Sequence, residues 1–351
     1  INMKIGKYKI SRQSHPLIVA EMSGNHNKSL ERAMLLVEQA AKSGAHMLKL
    51  QTYTADTLTI NSEKKDFQIL SEDSLWKGKT LHSLYDEAHT PWEWTEKIIK
   101  RCNELNIMCF STPFDETAVD FLEKLNVPAY KIASYENVHL PLIRKVAKTK
   151  KPIIISTGLA SISEIEDAVN VLKEENCDQF ALLKCTSAYP ASPENSNVLT
   201  IPDLRKKFNC EVGLSDHTVG IGAALAAISH GATIVEKHFT LDRNDGGVDS
   251  SFSIEPNELK LLVDESKKTW QALGTIKYGV TESEKIGLQF RRSIYVIKDI
   301  DKDEQLTNKN IRIIRPGKGL LPKHFDKILG KKVNQKISRG TPMSWEFLDK
   351  K

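Results

Sequence analysis

The stretch PIIISTGLASISEIEDAVNVLKEENCDQFALLKCT, residues 152–186, decides the fold class of this chain. It begins with a short β-branched apolar run, continues with a segment of helical period that opens on Ser161, and ends with a second apolar run. Serine is a typical N-terminal cap of a helix, and continuous apolar runs are typical of strands buried on both faces of a parallel sheet. The stretch therefore predicts a strand, a helix and a second strand parallel to the first.

The same unit recurs along most of the chain. Helical segments at 29–44, which opens on Ser29, and at 115–126 separate further apolar runs. Eight such units match the size and strand count of a (β/α)8 barrel, the TIM barrel, and a doubly wound open sheet is the alternative. The eight runs cover residues 15–21, 46–51, 107–112, 129–134, 152–157, 180–186, 211–216 and 233–239.

The C-terminal part of the chain differs from the rest in character and charge. Residues 291–351 consist of short strand-like runs and turns, with 16 Lys and Arg against 7 Asp and Glu, whereas residues 1–290 hold 34 against 38. A change of this kind indicates a second domain. We therefore expect a TIM-barrel catalytic domain at 1–275, a linker at 276–290 and a small domain at 291–351.

One connection inside the predicted barrel, residues 52–106, is too long for a simple crossover. Connections of this length in compact domains are usually functional, often as lids or substrate-binding insertions. We expect that role for residues 60–95.

The composition indicates a globular protein of the cytoplasm. No run of about eighteen apolar residues occurs, and the N-terminal stretch lacks the apolar core of a signal peptide, so neither a membrane span nor export is expected. The five cysteines are odd in number and form no C-x-x-C pair. They are expected to be reduced and mostly buried.

Polar and charged residues follow almost every predicted strand. In a TIM barrel the C-terminal ends of all strands meet at one face, where such enzymes place their active sites. Buried charges are unfavourable unless they are paired, solvated or used, so this recurrence favours an enzyme. The residues are Glu21, Lys49, Gln51, Ser111, Thr112, Lys131, Ser134, Glu136, Ser156, Thr157, Lys184, Thr186, Ser187, Ser215, Asp216, His217, Glu236 and His238.

Two histidines follow neighbouring strands and predict a metal site. His217 comes after the seventh run and His238 ends the eighth. Adjacent strands lie about 5 Å apart, so the two imidazoles can share one ion. Asp249 is a nearby carboxylate, and Glu236 has the same inward-facing parity as His238. Two nitrogens with oxygen or water ligands suit an exchangeable Mg2+, Mn2+ or Co2+ better than a structural zinc.

Lys49 and Lys131 predict an anion site. They end strands among several serine and threonine hydroxyls, with few acidic residues expected nearby to neutralise them. Ammonium and hydroxyl donors together suit a small phosphate or carboxylate. No P-loop motif occurs. A Schiff-base lysine, as in a metal-independent aldolase, is the alternative.

Ordered motifs along the chain resemble the sialic acid synthase family. The resemblance covers essentially the whole chain, because RRSIYVIKDIDKDE and IRPGKG resemble the C-terminal antifreeze-like (SAF) domain of that family. The motifs in the barrel are AEMSGNHN (20–27), LKLQTYT (48–54), FSTPFDETAVDFLE (110–123), AYKIASYE (129–136), PIIISTG (152–158), CTSAYPASPEN (185–195), GLSDHT (213–218) and EKHFT (236–240).

The resemblance implies an activity. Members of this family condense phosphoenolpyruvate with an N-acetylated amino sugar to give a nonulosonic acid and phosphate. Where members that use N-acetylmannosamine carry Asn, this chain has Ser187. The stretches 74–94, 185–195 and GGVDSSFS instead imply 2,4-diacetamido-2,4,6-trideoxy-L-altrose as the acceptor. Synthesis of legionaminic or N-acetylneuraminic acid is the alternative within the family.

The resemblance also implies roles for individual residues. His217 and His238 would bind the divalent metal. Glu136 would lie between both substrates and, with Glu21, act in catalysis. Arg315 would reach the acceptor from a partner subunit, which implies a domain-swapped homodimer. The residues implied for phosphoenolpyruvate are Lys49, Thr112, Lys131, Ser134, Ser156, Ser187 and Ser215, and those for the sugar are Glu21, Gln51, Tyr189, Asp249 and Arg315.

Other classes of function make different predictions. A metal-dependent pyruvate aldolase would share the barrel and the histidines but release no phosphate. Enzymes that condense the same donor with a phosphosugar need a second phosphate site, and no separate basic cluster suggests one. Nucleic-acid binding by the basic segment 291–351 is not expected, because it lacks interleaved aromatic residues and any known module.

Overall fold

The computed structural model describes residues 2–349 and divides between Gly274 and Thr275 into two compact units. The first unit is built mainly of parallel strands, and its apolar runs are buried on both faces. Its strands are β1 (Met3–Ile5), β2 (Tyr8–Ile10), β3 (Leu17–Glu21), β4 (Met47–Thr52), β5 (Met108–Pro113), β6 (Tyr130–Ile132), β7 (Ile153–Ser156), β8 (Phe180–Cys185), β9 (Glu211–Asp216) and β10 (Ile234–His238).

Strands β3 to β10 form a closed barrel in chain order, with β10 pairing back onto β3. All neighbouring pairs are parallel. Each strand falls on one of the eight predicted apolar runs. The predicted TIM barrel is therefore confirmed, and the doubly wound open sheet is wrong.

Helices alternate with the barrel strands. Ser29 accepts a hydrogen bond from the backbone N–H of Arg32, and Ser161 accepts one from that of Glu164, so both predicted caps are confirmed. The helices are α1 (Leu30–Lys42), α2 (Ala55–Leu58), α3 (Leu81–Ala88), α4 (Thr95–Glu104), α5 (Glu116–Lys124), α6 (Leu140–Ala147), α7 (Ile162–Glu174), α8 (Thr200–Phe208), α9 (Gly222–Ser229) and α10 (Pro256–Leu273).

An antiparallel hairpin of β1 and β2, which the sequence analysis missed, closes the N-terminal end of the barrel. Met3, Ile5 and Ile10 are almost completely buried. They pack in one apolar cluster with inward-facing barrel residues such as Phe110 and Ile154. The hairpin thus seals this end of the barrel from water, and the opposite end remains for the polar strand ends.

The long connection between β4 and β5 is partly helical. It contains α2, α3 and α4, with short 3-10 turns at Lys65–Phe67 and Trp92–Trp94. Only α4 has the place of an ordinary crossover helix, because it packs against α1 and β5. Residues 53–94 are therefore an insertion at the C-terminal end of β4, on the face where strand ends converge.

The second unit has a small apolar core of its own. Strands β11 (Ser293–Val296) and β12 (Ile311–Ile314) pair antiparallel, and the helix α11 (Phe325–Ile328) packs with them. The core includes Ile294, Val296 and Ile328. Within the stretch predicted as a linker, Glu282–Phe290 forms a 3-10 helix.

Two other expectations are tested by the described residues. No helix within residues 2–349 has both the length and the apolar character needed to cross a membrane. All five cysteines are free and buried, so the expectation of buried thiols is confirmed.

The hairpin makes a prediction for stability. Replacing Ile5 with Ala removes apolar contacts from a fully buried site and should lower the free energy of unfolding by about 2–5 kcal/mol. Urea denaturation measures this change. Leu35→Ala, at a 43% exposed position, is the control and should change the free energy by less than about 0.5 kcal/mol. Equal effects of both substitutions would show that the hairpin does not stabilise the barrel.

Candidate active site

Most of the predicted site residues meet in one cavity of about 370 Å3 at the C-terminal ends of the strands. Side chains alternate between the two faces of a strand, so only every second residue points into the barrel. For this reason Glu236 and His238 line the cavity, whereas the ammonium of Lys237 is bonded outside it to Asp216 at 3.0 Å. The predicted residues that line the cavity are Lys49, Gln51, Lys131, Ser134, Glu136, Ser156, Tyr189, Ser215, His217, His238 and Asp249.

The other predicted residues fall into two groups. Glu21 and Thr112 contact the ammonium of Lys49, with oxygen–nitrogen distances of 2.9 and 3.0 Å. The hydroxyl of Ser187 lies 3.9 Å from the Cys185 thiol, which lines the cavity. These three residues therefore lie beside the cavity. Arg315 belongs to the second unit, and its predicted role at the sugar stays a prediction.

Two lysines and two glutamates form a buried charge cluster at the base of the cavity. Lys49 contacts Glu21 at 2.9 Å and Glu236 at 3.8 Å, and Lys131 contacts Glu236 at 3.3 Å. The expectation of few anions near the lysines is therefore wrong. It failed because barrel closure pairs β10 with β3, which itself pairs with β4, and so brings Glu236 near Lys49 although they are far apart in sequence.

The charges in this cluster are set by burial and by one another. Burial would raise the pKa of Glu236, but the ammonium groups of Lys131 and Lys49 outweigh it and hold that pKa at about 2. For Glu21, burial dominates over the attraction of Lys49 and raises the pKa to about 7. Glu236 is thus a fixed carboxylate, whereas Glu21 can gain a proton near neutral pH. With Glu21 protonated, the two lysines outnumber the remaining anion of the cluster.

Hydroxyl groups line the cavity next to the lysines. Ser215 donates to Glu236 at 3.3 Å, and the buried Ser156 hydroxyl has no hydrogen-bond partner among the described residues. Ser134 accepts from the backbone N–H of Gly158 at 3.1 Å. A Cβ at Gly158 would come within 2.6 Å of Ser134 and 2.4 Å of Ser187, so only glycine leaves both hydroxyls in place. A bound anion would satisfy the unpaired buried hydroxyl and would be attracted by the two ammonium groups.

The two histidines lie next to this anion site with a ring-centroid separation of 5.3 Å. Nδ1 of His217 lies 2.9 Å from the backbone oxygen of Thr186. A carbonyl can only accept, so Nδ1 carries a proton, and in the neutral ring Nε2 keeps its lone pair. Nδ1 of His238 is buried without a hydrogen-bond partner, and Asp249 Oδ2 lies 3.6 Å from it.

These features fit a metal ion held by two imidazoles. A carbonyl that fixes the tautomer of a ligating histidine is a common outer-shell partner in metal sites. Nδ1 of His238 has no hydrogen-bond partner among the described residues, so this ring also has a nitrogen available to a ligand. Residues 2–349 hold no group of three or more His, Cys, Asp and Glu side chains arranged for a metal. His217 and His238 can therefore supply two nitrogen ligands, with the rest left to water or substrate.

Glu136 sits at the cavity wall on a 3-10 turn, Ser134–Glu136, directly after β6. Its side chain is buried, and Oε2 has no hydrogen-bond partner among the described residues. Burial raises its pKa to about 7, although Lys131 and Lys49 pull in the opposite direction. A carboxyl group with this pKa can exchange a proton near neutral pH, as a general base requires.

The structure adds residues that the sequence analysis gave no role. Glu236 was placed by parity alone and proves to bridge both lysines. Cys185, at the end of β8, lines the cavity, and its Sγ lies 4.0 Å from Nδ1 of His217. The alternation of side chains along a strand could have predicted that Glu236 and Cys185 both point into the barrel. Trp76 and Tyr85 come from the insertion, and only the tertiary structure shows that they reach the cavity.

A TIM barrel that carries buried lysines, hydroxyl groups and two neighbouring histidines at its C-terminal face is the arrangement of an enzyme that acts on small anionic substrates. Comparison with known proteins makes this class specific. The model of the NeuB family matches residues 36–278, and that of the SAF domain matches residues 291–349. The chain belongs to the NeuB family, the sialic acid synthases, and the expected resemblance is confirmed.

Individual relatives agree with this membership. The chain is 41% identical to a pseudaminic acid synthase of Campylobacter jejuni, covering 96% of this chain and 97% of that protein. It is also 41% identical to one of Helicobacter pylori, covering 95% and 98%. The crystal structure of an N-acetylneuraminic acid synthetase from Leptospira borgpetersenii has 32% identity and a TM-score of 0.73, covering 83% of this chain and 96% of that one.

The paired histidines predict metal binding that can be measured without turnover. Loss of an outer-shell partner typically weakens metal affinity roughly 10–100-fold. His217→Asn and His238→Asn should each weaken Mn2+ binding by more than this, because each substitution removes a proposed ligand. Isothermal titration calorimetry measures the affinity, and circular dichroism checks the fold. His230→Asn, at an exposed helix end, should bind Mn2+ like the wild type. Unchanged affinity in both site variants would exclude these histidines as ligands.

Proposed function

We propose that the chain catalyses the pseudaminic acid synthase reaction. Phosphoenolpyruvate and 2,4-diacetamido-2,4,6-trideoxy-L-altrose would combine with water to give pseudaminic acid and phosphate. The observation that carries this proposal is one cavity that holds both a two-lysine anion pocket and two histidines 5.3 Å apart. The match to two pseudaminic acid synthases over nearly the full length of the chain supports the choice of acceptor.

Phosphoenolpyruvate would bind at the charge cluster. Lys49 and Lys131 can face its phosphate and carboxylate, because both line the cavity and Lys131 has Glu236 as its one ion-pair partner among the described residues. The unpaired Ser156 hydroxyl would find an acceptor there. The residues proposed to share in this binding are Thr112, Ser134, Ser187 and Ser215.

A divalent ion held by His217 and His238, whether Mn2+, Mg2+ or Co2+, would supply Lewis-acid polarisation of the acceptor's open-chain aldehyde. The neighbouring residues would hold the sugar so that this aldehyde faces C3 of phosphoenolpyruvate. Tyr189 stacks beside His217 with ring centroids 4.4 Å apart, and so forms a wall next to the reacting carbon. The other residues proposed to contact the sugar are Glu21, Gln51 and Asp249.

Glu136 would accept a proton from the water molecule whose oxygen enters the product. When C3 of phosphoenolpyruvate forms a bond to the aldehyde carbon, positive charge develops at C2 of the donor. A buried carboxylate stabilises that charge and can take a proton from water as the oxygen adds to C2. The tetrahedral intermediate then loses phosphate by cleavage of the C–O bond. Lys49 and Lys131 would hold the departing phosphate.

One assay tests the reaction. The protein is incubated with Mn2+, phosphoenolpyruvate labelled with 18O at the bridging oxygen, and a panel of acceptors that includes N-acetylmannosamine and the legionaminic acid precursor. Phosphate release and product mass are followed by mass spectrometry. Labelled phosphate with the trideoxy-altrose acceptor is expected, because C–O cleavage leaves the bridging oxygen on phosphorus. Product formed in a parallel reaction with pyruvate in place of phosphoenolpyruvate would instead indicate an aldolase.

Glu136 predicts how activity depends on pH. Its pKa is raised to about 7, and a general base works only as the carboxylate. The value of kcat/KM should therefore fall about tenfold for each pH unit below about 7 and level off above it. Glu136→Gln should lower kcat by about 100-fold or more and remove this acid limb.

The matched control is Glu21→Gln, because the pKa of Glu21 is also raised to about 7. This variant should keep the acid limb even if it binds the donor less well. Loss of the limb in Glu21→Gln and its survival in Glu136→Gln would assign the base to Glu21.

We also propose a domain-swapped homodimer, built from a barrel at 1–275, a linker at 276–290 and a SAF domain at 291–351. Ile276 and Tyr278 in the linker stretch are 95% and 93% exposed, and Ile286 is 76% exposed. Three large apolar side chains exposed within residues 276–286 are surface that a partner subunit would cover. In the proposed dimer Arg315 of each subunit would contact the acceptor's N-acetyl group in the other subunit's cavity. The cytoplasmic location expected from the sequence stays a prediction.

Subunit mixing tests the dimer. Arg315→Ala should raise the KM of the acceptor far more than that of phosphoenolpyruvate, because a binding contact is lost. If Arg315 acts across subunits, unfolding and refolding this variant together with His238→Asn should restore activity, since each mixed dimer has one intact site. The variants refolded separately are the controls. No recovery in verified mixed dimers would place Arg315 in its own subunit's site or outside any site.

A further inference from the structure

One side of the cavity is apolar, in contrast to its charged base. The insertion after β4 supplies most of this side, which we call the apolar wall. Half-buried side chains predominate in it, so its surface faces the open space of the cavity. The wall consists of Leu58, Ile69, Trp76, Leu81, Leu84 and Tyr85.

Helix α3 presents one face to the cavity. Leu81, Leu84, Tyr85 and Ala88 all line it, and their spacing of three, four and seven residues places them on one stripe of a helix. The opposite face, which includes Ser83, is exposed to solvent. The apolar stripe is not wholly packed into the core, because Leu81 and Tyr85 are only half-buried. An apolar face turned toward a cavity gains free energy when an apolar group covers it.

Tyr189 connects the apolar wall with the histidines. The ring of Tyr189 is 4.4 Å from that of His217 and 6.4 Å from that of Trp76. The indole N–H of Trp76 donates to the backbone oxygen of Val248 at 3.1 Å. This bond ties the insertion to the residue before Asp249. A sugar whose C1 faces the histidines would therefore direct its distal carbons toward the apolar wall.

We propose that the apolar wall determines acceptor specificity by binding the deoxygenated C6 methyl group of the sugar. This inference rests on the proposed function. C6 is the carbon farthest from the reacting C1, and the wall lines the cavity beyond the ring contact between Trp76 and Tyr189, which itself contacts His217. Leu58, Ile69, Leu81 and Leu84 offer no hydrogen-bond partner. A C6 hydroxyl that faces these four side chains would lose its water without replacement, so acceptors with a C6 hydroxymethyl group are disfavoured.

The test compares two acceptors that differ only at C6. These are 2,4-diacetamido-2,4,6-trideoxy-L-altrose and its 6-hydroxy counterpart, each assayed with phosphoenolpyruvate and Mn2+. Leu81→Gln places an amide in the wall, and Ser83→Gln places the same residue on the opposite face of α3. We expect Leu81→Gln to lower the preference for the 6-deoxy acceptor, measured as a ratio of kcat/KM values, by roughly tenfold or more. Ser83→Gln should leave the ratio unchanged.

The KM of phosphoenolpyruvate should stay unchanged in both variants, which shows that the rest of the cavity is intact. Leu81→Met, which keeps an apolar side chain, should retain the preference. A ratio unchanged in Leu81→Gln, or a shift equal in Leu81→Gln and Ser83→Gln, would overturn the role of the wall. Equal losses for both acceptors leave the ratio unchanged and so overturn it as well. If the wild type makes no product from the 6-deoxy acceptor but accepts another sugar, the proposed function itself fails.

Discussion

The pairing of the last barrel strand with the first is the constraint on which the site depends. Strand β10 lies between β9 and β3, and His238 stands opposite Glu21 in the register. Glu21 in turn stands opposite Lys49 on β4. Closure thus brings Glu236 and His238 to the same inner face as Glu21 and Lys49, although His238 and Glu21 are about 217 positions apart in the sequence. A shift of one residue in this pairing would turn Glu236 and His238 away from the cavity.

The buried charge cluster follows from this closure and restricts what the cavity can bind. A lysine as buried as Lys49 or Lys131 is costly unless a carboxylate compensates it, and Glu21 and Glu236 do so. The four groups are unequal, because Glu236 remains charged whereas Glu21 titrates near neutral pH. A cluster that can change its charge by one proton can stay neutral enough to fold and still accept a polyanionic substrate. This combination suits phosphoenolpyruvate better than a permanently cationic pocket would.

The cavity is lined by two parts of the fold, the barrel strands and the insertion after β4. Strand ends carry the charged and hydroxyl groups, whose positions are set by barrel hydrogen bonding, whereas α3 and its flanking loops carry apolar groups. Chemistry shared by a family can therefore stay on the rigid barrel while the choice of acceptor varies on the insertion. The N-terminal hairpin supports both parts, because it closes the opposite end of the barrel with Met3, Ile5 and Ile10.

The sequence by itself determined the barrel, because eight apolar runs and capped helical segments are local patterns that do not require knowledge of contacts. It also predicted which strand ends carry chemistry. The carboxylate partners of Lys49 and Lys131, the bridging position of Glu236 and the contribution of α3 were decided only by the tertiary structure. The hairpin was missed because its strands have three residues each, too few for a periodic signal. Contacts between residues distant in sequence depend on barrel closure and register, which no local pattern encodes.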